Sequence, residues 1–328
     1  MKLYSCLKTI CAVLLLLSVL RVSEAQLMLT PAGKAQGLSL TTFITGFPSI
    51  SNGLGPAGVG FANGHVLVSD GPGDVRLFAT DTDGQNVNNA LTTHFYGFIN
   101  AIGIAQLSGN LYMTQASSND LIQINADGTF NHLVVGGFNH PVGVAADPFN
   151  GQLFVSDQFI RIYKVDPSTG TKTPFVNTQA DGLSLSPDGQ TLYAAGENGH
   201  ILGYSVNTGN LVLDSGFIPG GIDGTAAGVG LFANEVFVNT NSGTLYEINL
   251  TTHSQTLIAS GGSRGDFVTV DPTNDTLLIT QTDRLLRLNG ATFTTVPEPG
   301  VVPLLLSSVL FAGSVLLRRR YKQQYNPS

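Results

Sequence analysis

The sequence predicts an all-β fold, a six-bladed β-propeller with four strands in each blade. Three observations lead there. Short apolar runs with period-2 alternation fill the middle of the chain, separated by Gly, Asn, Asp and Pro turns. Those runs recur in six similar segments at steps near 40 residues. Long amphipathic helical patterns are missing between them, which points to a radial array of sheets.

Residues 141–166, PVGVAADPFNGQLFVSDQFIRIYKVD, show the unit most plainly. Val142-Gly143-Val144-Ala145, Leu153-Phe154-Val155-Ser156 and Ile160-Arg161-Ile162-Tyr163-Lys164-Val165 read as three strands of an antiparallel meander. The turn Asp147-Pro148-Phe149-Asn150-Gly151 joins the first two; Pro presets φ, and Asn-Gly accepts positive φ. One meander cannot bury its own face, so recurrence decides the fold. Equivalent segments start at Gly58, Gly103, Gly143, Gly182, Gly228 and Phe267, with steps of 45, 40, 39, 46 and 39 residues. Their second strands end at Asp70, Gln115, Asp157, Gly196, Thr240 and Gln281, 12 or 14 residues after each start. The longer spacing goes with the longer turns DPFNGQ, SPDGQT and DPTNDT.

Within a blade, the small-residue GV or GI run is predicted to be innermost, where backbones crowd the axis. Residues 38–47, LSLTTFITGF, have no partners of their own and look like the fourth strands HLVVGGF, TPFVNT and QTLIASGG. The last repeat lacks a clear fourth strand. The N-terminal strand is therefore expected to close the last blade, which ties the ring and leaves few exposed edges. Closure by residues 291–295 is the alternative.

The chain has 328 residues, 42% apolar and 11% charged, which is enough for a large core or several small ones in a ring. Between residues 26 and 296, eight basic residues stand against 20 acidic ones, a net charge of −12. Such a surface repels nucleic acid and anionic lipid, so no nucleic-acid partner is expected. Cys6 and Cys11, the only cysteines, lie in the N-terminal segment, so a processed chain has no disulfide or thiol chemistry.

Residues 1–25 read as a signal peptide for the Sec export machinery and signal peptidase. Lys2 and Lys8 precede an apolar run, and Ser23-Glu24-Ala25 offers a cleavage site before Gln26. An uncleaved anchor is the alternative, though the run is short for a spanning helix. Residues 26–37 read as a polar lead-in and 38–292 as the propeller. After it comes the break Val296-Pro297-Glu298-Pro299-Gly300. Residues 301–317 are an uncharged apolar run, expected to form an inner-membrane helix, with the basic cluster 318–322 on the cytoplasmic side.

Candidate chemistry lies in the axial channel, near the starts of the innermost strands. One residue before each start stand Ala57, Ile102, Val142, Asp181, Ala227 and Asp266. Asp181 and Asp266 are the candidate metal ligands, and two carboxylates with amide oxygens suit a hard cation such as Ca²⁺. Asn100, His140, Asp223 and Arg264 are nearby loop residues and complete the candidate ligand-binding set. The competing reading has Asp266 facing Arg264. Asp81-Thr82-Asp83-Gly84 matches the start of a calcium loop but lacks its distal Glu, so a hairpin turn is the expectation there. No Ser/His/Asp arrangement, phosphate loop or Cys/His metal spacing occurs.

Two resemblances follow from these motifs. The tail, with Pro297-Glu298-Pro299, an apolar stretch and Arg318-Arg319-Arg320, resembles the PEP-CTERM sorting signal of Gram-negative bacteria. That implies cleavage by an exosortase-type membrane protease and delivery to the cell surface or exopolysaccharide. The repeats, with PxGVAxD, GxLFVSD and RIxxxD, resemble the NHL and gluconolactonase-like six-bladed propellers. Metal-dependent lactonases of that group use a Glu from an innermost strand, but here the aligned residue is Ala57 and no Glu occurs at any of the six positions. The streptogramin-lyase type needs a His/Glu set, and His140 has no such Glu.

Two functions are therefore expected to compete. One is a non-enzymatic surface or matrix protein that binds a glycan, peptide or other envelope partner. The other is a metal-dependent hydrolase or lyase acting on a small extracellular substrate. Converging oxygens of Asp181, Asp266 and Asn100 would mark the enzyme, and a channel of small apolar residues the binding module.

Overall fold

A computed structural model describes residues 26–290. The expected signal peptide 1–25, the alternative closing strand 291–295 and the expected sorting segment 293–328, with Pro297, Glu298, Pro299, Arg318, Arg319 and Arg320, lie outside the described residues. Among the described residues no helix is long and apolar enough to cross a membrane.

The strands form six antiparallel sheets. Blade 3 contains Pro141–Asp147, Gln152–Asp157, Arg161–Asp166 and Thr171–Val176, matching the meander read from its sequence. Innermost strands of successive blades pack side by side, and blade 6 returns to blade 1, so the sheets make a ring. Blade 6 holds Val268–Val270, Leu277–Gln281 and Arg284–Gly290. Its fourth strand is Leu38–Thr45, antiparallel to Arg284–Gly290 in the register Leu40↔Leu288. The ring is thus closed from the N-terminal side, as the unpartnered 38–47 run predicts.

The core is divided among the blade interfaces. Phe237, Leu277 and Leu288 fill the space between blades 5 and 6, and Phe43 and Phe78 that between 6 and 1, all without exposed surface. Second strands such as His65–Asp70 are buried on both faces, hence their unbroken apolar character. Each fully buried Leu or Phe contributes about 1.5–3 kcal/mol.

Backbone packing around the axis accounts for the repeated Gly. A Cβ on Gly143 would lie 2.2 Å from the Asp181 carbonyl oxygen of the next blade. A recurrent hydroxyl ties the same carbonyls: Ser69, Thr114 and Ser156 donate to the backbone oxygens of Ile102, Val142 and Asp181 at 2.5, 2.6 and 2.7 Å.

Blade 5 corrects the sequence reading. Its innermost strand is Ile222–Ala227, so the equivalent of Gly143 is Gly224, not Gly228. A Cβ on Gly224 would meet the Asp266 carbonyl oxygen at 2.4 Å. Gly228-Val229 imitates the lead pair but enters a short 3₁₀ turn, Gly230–Phe232, inserted before the second strand. The steps around blade 5 become 42 and 43 residues, read from Gly182, Gly224 and Phe267.

Two further segments differ from expectation. The lead-in 26–37 is structured: Met28–Leu29 adds a strand to the outer edge of blade 5, and helix Pro31–Ala35 follows. Thr30 caps that helix and donates to the Leu257 carbonyl at 2.8 Å. The Asp81–Gly84 stretch belongs to an excursion from blade 1, whose Gln85–Asn86 pairs in parallel with Leu38–Thr45. Asp81 and Asp83 close on Arg287 of blade 6, which also donates to Asp271 at 2.7 Å and Thr276 at 2.6 Å. The guanidinium sits 4.6 Å from the Phe43 ring centroid. A cation from the chain itself, not calcium, therefore holds the Asp81–Asp83 carboxylates, and the excursion clasps the closing blade.

Candidate functional site

The corrected register makes the axial mouth legible. Six equivalent positions ring it: Ala57, Ile102, Val142, Asp181, Asp223 and Asp266. Three apolar residues come from blades 1–3 and three carboxyls from blades 4–6. At Ile102, Val142, Asp181, Asp223 and Asp266 the backbone carbonyl lies against a Gly of the preceding blade, and the side chains of Ile102, Val142, Asp181 and Asp266 border the mouth. Asp223 is the residue that spacing alone does not align, because the false start at Gly228 puts Ala227 there.

The polar half is tightly connected. Arg264, in the loop entering blade 6, donates to Asp266 Oδ1 through Nε at 3.0 Å and through a terminal nitrogen at 2.6 Å. The same terminal nitrogen reaches Asp223 Oδ2 at 3.3 Å, and Asn241 donates to Asp223 Oδ1 at 2.9 Å. Asp223 and Asp266 are 7% and 6% exposed. Asp181 is half-buried, and Gln158 Nε2 bridges it at 2.9 Å to the exposed Glu197 at 2.8 Å.

Burial and mutual repulsion set the acidity of these groups. Desolvation, followed by the charge on Asp266, pushes Asp223 up to about 8. Desolvation, with Asp223 and Asp266 as like-charged neighbours, holds Asp181 well above the usual carboxylate range. Asp266 is also raised by burial, against the opposing pull of Arg264. At neutral pH the Asp223 carboxyl therefore keeps its proton, beside a guanidinium that bonds to Asp266.

The other half is hydrocarbon. Leu54, Ala57, Ile102, Ala116 and Val142 form a buried cluster, with Ile50, Ile99 and Phe267 packed against it. Ile99 has φ of 55°, a left-handed conformation that a β-branched residue rarely adopts. Hydrogen bonds hold it: Ile99 N donates to Gly71 O at 3.1 Å, and Ser117 N to Ile99 O at 3.2 Å. Between the two halves lies a cavity of about 210 Å³, bordered by Asp181, Arg264, Asp266 and His140 on one side and Ile50, Leu54, Ile99 and Val142 on the other. Phe267 also borders a second, larger cavity of about 480 Å³, lined mainly by small and apolar residues such as Gly58, Gly60, Ala105, Ala145 and Ala226.

Of the sequence-predicted residues, Asp181, Asp266 and His140 reach the cavity, and Asp223 supports it from behind Arg264. The His140 ring stacks on Phe159 at 5.4 Å, and burial lowers its pKa, opposed by Asp157. Asn100 does not join the carboxylates. Its side chain binds Ser118, donating to Oγ at 2.7 Å and accepting from N at 2.8 Å, which fixes the loop that presents Ile99. Sequence reasoning missed Gln158 and Asn241, which carry no spacing signal.

The residues do not fit a Ca²⁺ ion. The chain supplies its own cation to Asp223 and Asp266, and apart from Asn52, whose side-chain oxygen accepts from Leu54 N, the facing wall offers carbon where a hard cation needs six to eight oxygens. Among the described residues no group of three or more His, Cys, Asp or Glu is arranged to hold a metal.

No family model matches the chain, and no characterised protein matches it by sequence. Solved structures do resemble it. A Bacteroides thetaiotaomicron protein of unknown function is similar with a TM-score of 0.60 and 12% identity, over 77% of this chain and 76% of that one. XC5397 of Xanthomonas campestris, a gluconolactonase, is similar with a TM-score of 0.60 and 18% identity, over 81% of this chain and 96% of that one. At such identities the likeness is one of fold. The class is thereby defined: an all-β six-bladed propeller with a gluconolactonase among its structural neighbours.

Proposed function

We propose that this protein is an exported, surface-sorted propeller that binds a small ligand in its axial mouth and does not transform it. The carrying observation is the guanidinium of Arg264, bound to Asp266 and Asp223. It neutralises the carboxylates that a metal-dependent hydrolase or lyase would need free. The larger axial cavity of small apolar residues and the diversion of Asn100 to Ser118 also favour the binding reading.

Export through Sec, processing by an exosortase-type protease and residence at the cell surface or in exopolysaccharide belong to this reading. They rest on residues 1–25 and on the Pro297-Glu298-Pro299, apolar and Arg318–320 arrangement. Deleting residues 297–299 should leave uncleaved chain in the inner membrane, followed by fractionation and immunoblotting. Normal processing of the deletion would refute the sorting part.

The enzymatic alternative is tested by melting with and without Ca²⁺. The wild type and Asp181→Ala should show no calcium-dependent difference. A rise in melting temperature with Ca²⁺ that Asp181→Ala and Asp266→Ala abolish would return the site to metal chemistry.

A further inference from the structure

We infer that the mouth takes a small organic ammonium compound, its nitrogen against Asp181 and its hydrocarbon body against Ile50, Ile99, Ile102 and Val142. This deepens, and rests on, the binding reading. Two independent features of the cavity meet in the inference, the charge balance of one wall and the chemistry of the other.

The first is charge. Four carboxyls surround the mouth, those of Asp181, Asp223, Asp266 and Glu197, and each adds its field at Asp181 or is Asp181 itself. One guanidinium, Arg264, answers them, and its bonds go to Asp266 and Asp223. His140 faces the same space and is kept neutral by burial. Asp181 is left with an amide, Gln158, as its bonded partner. A ligand that brings a positive charge with N–H donors completes this side. Carboxylate acceptors favour an ammonium over a neutral hydroxyl, because the cation adds Coulomb attraction between two full charges to the hydrogen bond.

The second is the facing wall. Ile102 and Val142 are 4% and 6% exposed, and with Leu54, Ile50 and Ile99 they offer no hydrogen-bonding atom to the cavity from their side chains. A hydrated metal ion would have to shed water there and gain nothing. A carbon chain gains contact and displaces that water. The cavity, at about 210 Å³, is smaller than the roughly 300–1,000 Å³ of sites for drug-sized ligands, so the body is a few carbons.

Proton linkage gives the inference a signature. Asp223 titrates at about 8, so the empty mouth holds a proton at pH 7, and burial raises Asp181 in the same direction. An arriving cation favours the ionised carboxylates and expels protons. Its affinity should rise by about tenfold per pH unit for each proton released, below the pKa concerned.

The test uses full-length chain in a non-ionic detergent, titrated with n-butylammonium, n-butanol and butyrate by ligand-observed NMR between pH 6 and 9. Butylammonium should bind at least tenfold more tightly than n-butanol at pH 8, with affinity that grows with pH. Asp181→Asn should bring it down to the n-butanol value. Ile50→Lys, which supplies an ammonium from the rim, should abolish butylammonium binding and serves if Asp181→Asn does not fold. Equal binding of n-butanol and butylammonium would overturn the ligand class and leave the binding reading standing. So would a preference for butyrate, which would shift recognition to Arg264. If none of the three occupies the mouth, the binding reading falls together with the ligand class.

Discussion

Arg287→Met removes a charge from the ring's closure while keeping a long side chain. Arg287 is 4% exposed and answers Asp271, whose side chain has no exposed surface, together with Asp81 and Asp83 at 17% and 36%. The variant strands Asp271 as a buried, unpaired carboxylate, which costs about 3–5 kcal/mol. Asp83, a third exposed, adds little to that. In a domain of this size each kcal/mol lowers the melting temperature by about 2–4 °C, so a fall of roughly 6–20 °C is expected. Circular dichroism melts at pH 7 measure it. Adding Asp271→Asn to the variant should recover part of the loss, and 1 M salt should not mimic it, since buried pairs are weakly screened. A fall under about 2 °C, within the range of a surface pair, would show that the clasp does not hold the closing blade.

Three further outcomes follow from the same structure. Asp223 titrates at about 8 in the fold against about 3.9 unfolded, so the folded state keeps a proton the unfolded chain has lost. Stability should fall as pH rises from about 4 to about 8, less steeply in Asp223→Asn; equal slopes in urea titrations would refute the assignment. Glu235 is raised to about 8 by burial and then by its neighbour Glu247. Above pH 8 Glu235 ionises in this buried setting, so Glu247→Gln, which puts an amide donor beside it, should melt higher than wild type at pH 9, and a lower melting temperature would count against the raised Glu235. Gly143→Ala would set a Cβ 2.2 Å from the Asp181 backbone oxygen, so the variant should be recovered mainly as insoluble protein, and a soluble yield like that of wild type would contradict the blade spacing.

The repeat was legible because its marks are local. Asp147-Pro148-Phe149-Asn150 forms its turn by itself: Asp147 Oδ1 accepts from the amides of Phe149 and Asn150 at 3.1 and 3.2 Å. Residues 38–47 announced closure by lacking a neighbour to pair with. What stayed hidden was non-local. The Arg287 clasp joins residues more than 200 positions apart, and nothing around Asp81-Thr82-Asp83 distinguishes a calcium loop from carboxylates awaiting a distant guanidinium. The lead-in helix was hidden for another reason: five residues are too few to show a helical period.

Blade 5 shows how one slip of register conceals a site. Gly228-Val229 offers the same dipeptide as the true lead positions, so a pattern of apolar and small residues cannot reject it. The structure rejects it by packing: the Gly224 Cα, not that of Gly228, lies against the Asp266 carbonyl. Once corrected, the six ring positions divide into Ala57, Ile102 and Val142 on one arc and three Asp on the other. Folding does not ask for that division. The repeat uses the backbone carbonyl at these positions, facing the preceding blade's Gly at Ile102, Val142, Asp181, Asp223 and Asp266 and its hydroxyl at the first three, and any side chain can accompany that carbonyl. Three adjacent carboxyls lower stability near neutral pH, through desolvation and mutual repulsion, and would be replaced at no cost to the ring if the ring were all they served. On the proposed binding reading the asymmetry belongs to what enters the mouth, and on that reading a chain with Asp181→Val and Asp223→Ala should fold at least as stably as the wild type while losing the ammonium preference.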